Sequence, residues 1–217
     1  MKLKRLLNKV TLTTRCLSGF FSALFYKNFK IYFSLSVSFF GKLNEDTFIK
    51  KEIPMETYRL KIRPYQMTDV EAAVTIFSDT EMMTYYPAPF SKQKTMEWLE
   101  WSIEHYQRNG MGLWAVCLKE TGQLIGDCGI VQQVIDGEQK YELGYHIARE
   151  YWRKGYGSEA TEFMLDYGKS TLGLQELVSI IDPMNTASLK LAEKNHFHKL
   201  KNTVIFDKEH VIYQKFL

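Results

Sequence analysis

The residues with the most chemical promise stand in the stretch YWRKGYGSEA, Tyr151–Ala160, where Arg153 and Lys154 precede Gly155 and Gly157 and good helix formers follow. Glycine lets a backbone turn sharply or approach another group closely. A helix N-terminus presents unpaired N–H groups and a partial positive charge, so the pattern suits an anion. It is not a Walker A loop, which needs Gly-Lys-Ser/Thr after a longer glycine gap. Nor is it a dinucleotide fingerprint, which needs three glycines in parallel βαβ order. Two glycines alone serve a plain tight turn equally well, so the surrounding elements must decide.

Periodicity and turn chemistry supply those elements. Residues 58–65 (YRLKIRPY) alternate and read as a strand. Thr68, with Glu71 three residues on, reads as a capping box for an amphipathic helix. Pro87 and Pro89 break the chain, and Ser91 then caps a long helix that stops at Gly110. Strands are expected over 113–118, 124–134 and 140–148, joined by tight turns as an antiparallel meander. The glycine loop opens a helix to about Gly168, followed by a strand at 177–181 and a helix at 185–196. Strands at 197–206 and 210–216 close the chain. The order β-α-α-β-β-β-α-β-α-β-β predicts an α+β fold: one domain over 55–217, with a mixed, mostly antiparallel sheet flanked by helices.

Charge divides the chain unevenly. Residues 1–54 carry a net +7 and the remainder a net −4, so the pI of 8.6 is no nucleic-acid footprint and no nucleic-acid partner is expected. Cys16, Cys117 and Cys128 have neither disulfide nor metal spacing, which points to a reducing, cytoplasmic setting. His105, His146, His198 and His210 show no metal spacing either and read as structural or surface residues; no metal is expected. The two apolar runs of residues 1–54 are each too short to span a bilayer, and joining them would bury Lys27 and Lys30. This extension is read as disordered or as a mis-assigned start. Lys51-Glu52-Ile53-Pro54-Met55 can translate a purine-rich ribosome-binding sequence ahead of a bacterial start at Met55. The alternative is a basic helix lying on a membrane surface, which requires residues 1–54 to be genuine.

With these elements in place, the chain resembles the GNAT acyltransferases, within them the branch around the ribosomal-protein N-terminal acetyltransferases. The family signature Gln/Arg-x-x-Gly-x-Gly/Ala aligns with WRKGYG (152–157), Trp152 taking the first place as it does in that branch. Downstream, Asn185, Ser188, Glu193, Lys194 and Phe197 match a second motif, and ELGYHI (142–147) and YRLKIRPYQMTD match the strands upstream. The resemblance covers essentially all of 55–217. It implies a sheet whose central strands splay apart, with acetyl-CoA as co-substrate. The pyrophosphate would lie on the loop of Arg153, Lys154, Gly155, Tyr156, Gly157 and Ser158. The pantetheine arm would add to the strand ending at Ile147 and Ala148, and Asn185 would touch the cofactor, although it also reads as an ordinary N-cap.

Transfer to an amine needs a base for the amine proton and an acid for the departing thiolate. Many members place a Tyr acid seven residues after the motif Asn; here that residue is Ala192, and the branch resembled puts Ser188 in the role. Glu142 is the expected base, against the plainer reading of a solvent-facing strand residue. His196 replaces the usual Gly, which strains the helix end if its φ is positive. Tyr85, Tyr86 and Trp98 lie where such proteins hold their acceptor. The implied function is an N-acetyltransferase acting directly on a primary amine, a protein α-amine first. The rivals are a small amine such as a polyamine, antibiotic or amino acid, and a CoA-binding module without catalysis. A monomer or homodimer is expected.

Overall fold

In the computed structural model, which describes residues 55–217, short local signals start and stop each element. The elements are β1 Leu60–Arg63, α1 Val70–Phe77, α2 Lys92–Asn109, β2 Gly112–Leu118, β3 Leu124–Ile135 and β4 Glu138–Ile147, then α3 Tyr156–Ser170, β5 Glu176–Ile181, α4 Thr186–Lys194, β6 His198–Ile205 and β7 Lys208–Phe216. Ser91 starts α2 by accepting the Lys94 N–H at 3.2 Å, and Gly110 ends it in the left-handed conformation (φ 69°). The first helix departs from its expected cap. A short 3-10 turn, Met67–Asp69, precedes α1, and the Gln66 N–H is held by the Asp69 carboxylate at 2.8 Å. Arg63 forks onto that same carboxylate through two 2.7 Å bonds, so the ion pair fixes Asp69, not Glu71, as the acidic partner of the cap. The readings of residues 1–54 lie outside the described residues.

The seven strands form one sheet in the order β1-β2-β3-β4-β5-β7-β6. The β2-β3-β4 meander is antiparallel, and β4–β5 is the parallel junction. Helices cover both faces, so β2 is buried along nearly its whole length. Ile62, Trp114, Val116, Ile130 and Leu143 pack with Ala160 and Met164 of α3 and Ala192 of α4. Ala115, Cys117 and Leu124 face the other way, onto Ala73 and Phe77 of α1 and Leu99 of α2. The sheet therefore separates an α1–α2 side from an α3–α4 side, and any site at the β4–β5 junction opens onto both. No helix among the described residues is long and apolar enough to cross a membrane.

The end of α4 carries the strain foreseen for it. His196 has φ 61°, while its N–H and that of Phe197 close back onto the carbonyls of Glu193 (2.9 Å) and Ala192 (3.0 Å). A β-carbon in this region costs roughly 1 kcal/mol. His196→Gly is therefore expected to raise the thermal midpoint by a few degrees. An unchanged or lower midpoint in a melting experiment would show that the imidazole makes good the loss.

Candidate active site

The parallel junction is where the sheet opens. β3 pairs with β4 over the full strand, yet β4 and β5 share one register pair, Glu142 with Val178. No register pair follows Glu142–Val178 towards the C-terminal ends of the two strands, and α3 and α4 start beyond those ends. The open edge of β4 is partly bridged. The Leu143 carbonyl accepts the Ser179 hydroxyl at 3.1 Å, and the Ile147 carbonyl accepts the Trp152 indole N–H at 2.6 Å. Alternation along the strand directs the Tyr145 N–H and C=O to this same edge, between the two bridged carbonyls. Ala148 turns the other way and gives its N–H to Ile125 at 2.8 Å. The Trp152 side chain thus ties the glycine loop to the strand it follows.

Within the loop, Arg153 (φ 57°) and Gly155 (φ 86°) both adopt left-handed backbone, and Gly155 is the N-cap of α3. No side chain caps this helix. The first-turn N–H groups of Tyr156, Gly157 and Ser158 consequently keep their donor capacity for a ligand, in the concave arrangement that binds anions. A β-carbon on Gly155 would lie 3.2 Å from the Arg59 guanidinium, and one on Gly157 would lie 3.3 Å from Leu191 of α4. Arg59 braces the loop from outside. It bonds the Glu159 carboxylate (2.7 Å) and the Lys154 carbonyl (2.9 Å) and lies 4.3 Å over the Tyr156 ring. Lys194 reaches from the last turn of α4 to the Ser158 hydroxyl at 2.9 Å, adding a cation beside the loop. Arg153 and Lys154 are themselves exposed. Neither Arg59 nor Lys194 was singled out as a ligand-site residue from the sequence, although Lys194 sits in the second motif.

The two faces of β4 present different chemistry, because successive side chains alternate. On the α1–α2 side stands Glu142, whose carboxylate accepts Gln133 Nε2 at 2.8 Å and the Ile180 N–H from the opposite wall of the cleft. Burial outweighs these bonds and pushes its pKa up to about 7. On the α3–α4 side, the Tyr145 hydroxyl meets Ser188 Oγ at 2.7 Å. Burial raises that phenol to about 12, so it stays protonated at any working pH. Asn185 accepts the Ser188 N–H at 3.0 Å and is therefore the cap of α4. Ala192 is buried in the core. The hydroxyl pair escaped the sequence reading because its members lie on different elements, 43 positions apart.

Of the aromatic residues expected near the acceptor, Tyr86 and Trp98 pack on the α1–α2 side. Tyr85 donates to the Met184 carbonyl at 3.1 Å, linking the loop before α2 to the loop before α4. Tyr86 bonds His146 at 2.6 Å, and Trp98 gives its indole N–H to Asp127 at 3.1 Å. His146 is thus held at both ring nitrogens beneath the surface, in keeping with a structural residue. Among the described residues no group of His, Cys, Asp or Glu could hold a metal ion.

The glycine loop and the β4–β5 junction both lie within the segment that matches a known family. Residues 59–198 match the family model described as Acetyltransferase (GNAT) domain, and the chain belongs to that family of acetyltransferases. The uncharacterized protein YkkB of Bacillus subtilis (strain 168) is 36% identical over 140 residues, covering 64% of this chain and 81% of that one. The uncharacterized N-acetyltransferase p20 of Bacillus licheniformis is 32% identical over 146 residues, covering 66% and 81%. Among solved structures, the acetyltransferase from Agrobacterium tumefaciens str. C58 superposes with TM-score 0.67 at 27% identity, over 81% of this chain and 99% of that one. RimL, a ribosomal L7/L12 α-N-protein acetyltransferase in complex with coenzyme A, shares the fold at TM-score 0.62 and 14% identity, over 74% and 96%.

Proposed function

We propose that this enzyme transfers an acetyl group from acetyl-CoA to a primary amine by direct attack in a ternary complex, with a protein α-amine as the acceptor. The observation that carries the reading is the cleft between β4 and β5, with Glu142 on one face and the Tyr145–Ser188 hydroxyl pair on the other. The loop N–H groups of Tyr156–Ser158 and the cation of Lys194 suit a pyrophosphate. The free edge at Tyr145 suits an extended amide-bearing arm, added as a strand would be. Its N–H would polarise the thioester carbonyl and hold the oxyanion of the tetrahedral intermediate. A coenzyme A complex is known for a protein of this fold, which supports the donor, and that protein's action on a protein α-amine supports the acceptor class.

In this account the amine enters from the α1–α2 side, where Tyr85, Tyr86 and Trp98 line the approach. Glu142, poised near neutrality, takes a proton from the incoming ammonium. The free amine attacks the thioester carbon, and the carbon–sulfur bond breaks as the carbonyl re-forms. Ser188, itself held by the Tyr145 hydroxyl, gives the leaving sulfur its hydrogen bond. A thiolate is a stable leaving group, so this last aid is modest. Ser188→Ala and Tyr145→Phe are each expected to lower kcat about 5- to 10-fold, and the double variant little further, because both act through one chain.

The test is thiol release from acetyl-CoA against peptides with varied free N-terminal residues, a polyamine and free amino acids. Turnover restricted to peptides supports the reading, and turnover restricted to small amines replaces its acceptor. Binding of acetyl-CoA without thiol release on any amine, unchanged by Glu142→Gln, would leave a non-catalytic coenzyme A module instead.

A further inference from the structure

The α1–α2 side of the cleft holds a second hydrogen-bonded group of polar side chains. His146 lies on the same face of β4 as Glu142, two alternations further along. Between them stands Gly144, where a β-carbon would meet only Leu113, at 3.6 Å. The strand therefore presents carboxyl, glycine and imidazole in series on one face, with no side chain between the two polar groups. His146 is held at both nitrogens. Nδ1 lies 2.7 Å from Asp127 Oδ1, and Nε2 lies 2.6 Å from the Tyr86 hydroxyl.

Asp127 is fully buried, and its other oxygen accepts the Trp98 indole N–H (3.1 Å) and the Tyr65 hydroxyl (3.2 Å). A buried carboxyl group met by donors on its other oxygen serves the imidazole as an acceptor. The Nδ1 proton of the neutral ring accordingly points to Asp127, leaving Nε2 to accept from Tyr86. The rings of Phe77, Tyr86 and Trp98 surround the imidazole with centroids 5.5–6.0 Å away. The titratable groups facing His146 are Asp127 from β3, Glu142 from β4 and Tyr86 from the loop before α2, with Tyr65 behind Asp127. Nothing in a purely packing role requires a carboxylate, an imidazole and a phenol in line.

We propose that Tyr86 is a second base of the transfer, with His146 and Asp127 positioned behind it as a proton relay. The inference rests on the acetyl-transfer reading above. A primary ammonium must lose two protons on its way to the amide. Glu142 takes the first, before attack. Attack then leaves the nitrogen of the tetrahedral intermediate with a positive charge and a proton still to lose. Tyr86 Oη takes that proton while passing its own to His146 Nε2. The resulting imidazolium is stabilised by Asp127, and the carbonyl re-forms as the thiolate leaves. After product release Glu142 returns its proton to solvent and His146 does so through Tyr86, while the departed thiolate takes one proton up from solvent. The two protons lost by the ammonium are thus matched by one on the thiol and one left in solvent.

The relay is tested with the full-length protein and the peptide best turned over in the panel above, using Tyr86→Phe, His146→Gln and Asp127→Asn. Tyr86→Phe keeps the ring and removes only the hydroxyl, and acetyl-CoA affinity and thermal melting verify that each variant folds. The relay predicts that Tyr86→Phe and His146→Gln each lower kcat about 10- to 100-fold. Both should leave acetyl-CoA affinity within about 2-fold of wild type. Both should keep the rise near pH 7 that Glu142 sets, since they act on the second proton only. Turnover by the wild type, with both variants unchanged in kcat, overturns the relay and leaves the transferase reading standing. No turnover by the wild type on any amine overturns the transferase reading itself. In that event nitrogen-resolved NMR of His146 still judges the hydrogen-bond chain, and a ring protonated at Nε2 contradicts it.

Discussion

Glu142→Gln is expected to lower acetyl transfer at neutral pH about 100-fold or more while making the folded protein more stable. Both effects come from one cause. The carboxyl sits in the cleft between β4 and β5, where burial lifts it from its ordinary 4.5 to about 7. A base with that pKa is half-formed at neutrality, so transfer by the wild type should rise through about pH 7 and level off above it. The glutamine variant should lack this rise.

The stability change follows from linkage. Below pH 4.5 the carboxyl is protonated in folded and unfolded chains alike. Between 4.5 and 7 the unfolded chain gives up its proton first, so the wild type loses stability across that window and no more above it. The full displacement caps the loss at about 3 kcal/mol. Glu142 keeps some contact with solvent, which reduces the expected gain for the variant to about 1–2 kcal/mol at pH 8 and to nothing at pH 4. Denaturant titrations at both pH values measure it. A variant that is inactive and also less stable at pH 8 would indicate a structural residue and remove the base assignment.

Gly155→Val is expected to weaken acetyl-CoA binding at least about 100-fold, with the fold intact. The position needs φ near 86°, which a β-branched residue tolerates poorly, and the new side chain would press on the Arg59 guanidinium 3.2 Å away. Arg59 in turn holds the Lys154 carbonyl and the Glu159 carboxylate. Relaxing the strain therefore moves the loop and turns the N–H groups of α3 off their common target. Gly157→Val should act through α4 instead, since its side chain would meet Leu191. If both variants melt like the wild type and bind acetyl-CoA equally well, the loop is only a turn.

The order of elements was legible because the signals are local. Ser91 and Gly110 bound α2, Asn185 caps α4, and turn residues separate the three strands of the meander. Where two local signals compete, tertiary contacts decide. Thr68–Glu71 and Gln66–Asp69 offer overlapping caps, and Arg63, from the preceding strand, selects the second. Glu142 could be placed on its strand from the sequence, but not its elevated pKa, which comes from burial that no periodicity encodes. The splay itself followed from the family resemblance. The Tyr145–Ser188 and Tyr86–His146–Asp127 contacts join elements far apart in sequence. The one trace they left was the period-2 spacing that sends Tyr145 to one face of β4 and Glu142 and His146 to the other.

A calorimetric titration of the full-length protein with acetyl-CoA, run beside Gly155→Val, probes the cradle most directly. Saturable binding at about micromolar affinity that the variant loses is expected. A folded wild type that takes up no acetyl-CoA would contradict it, and both the cradle and the chemistry built on the β4–β5 cleft would have to be given up.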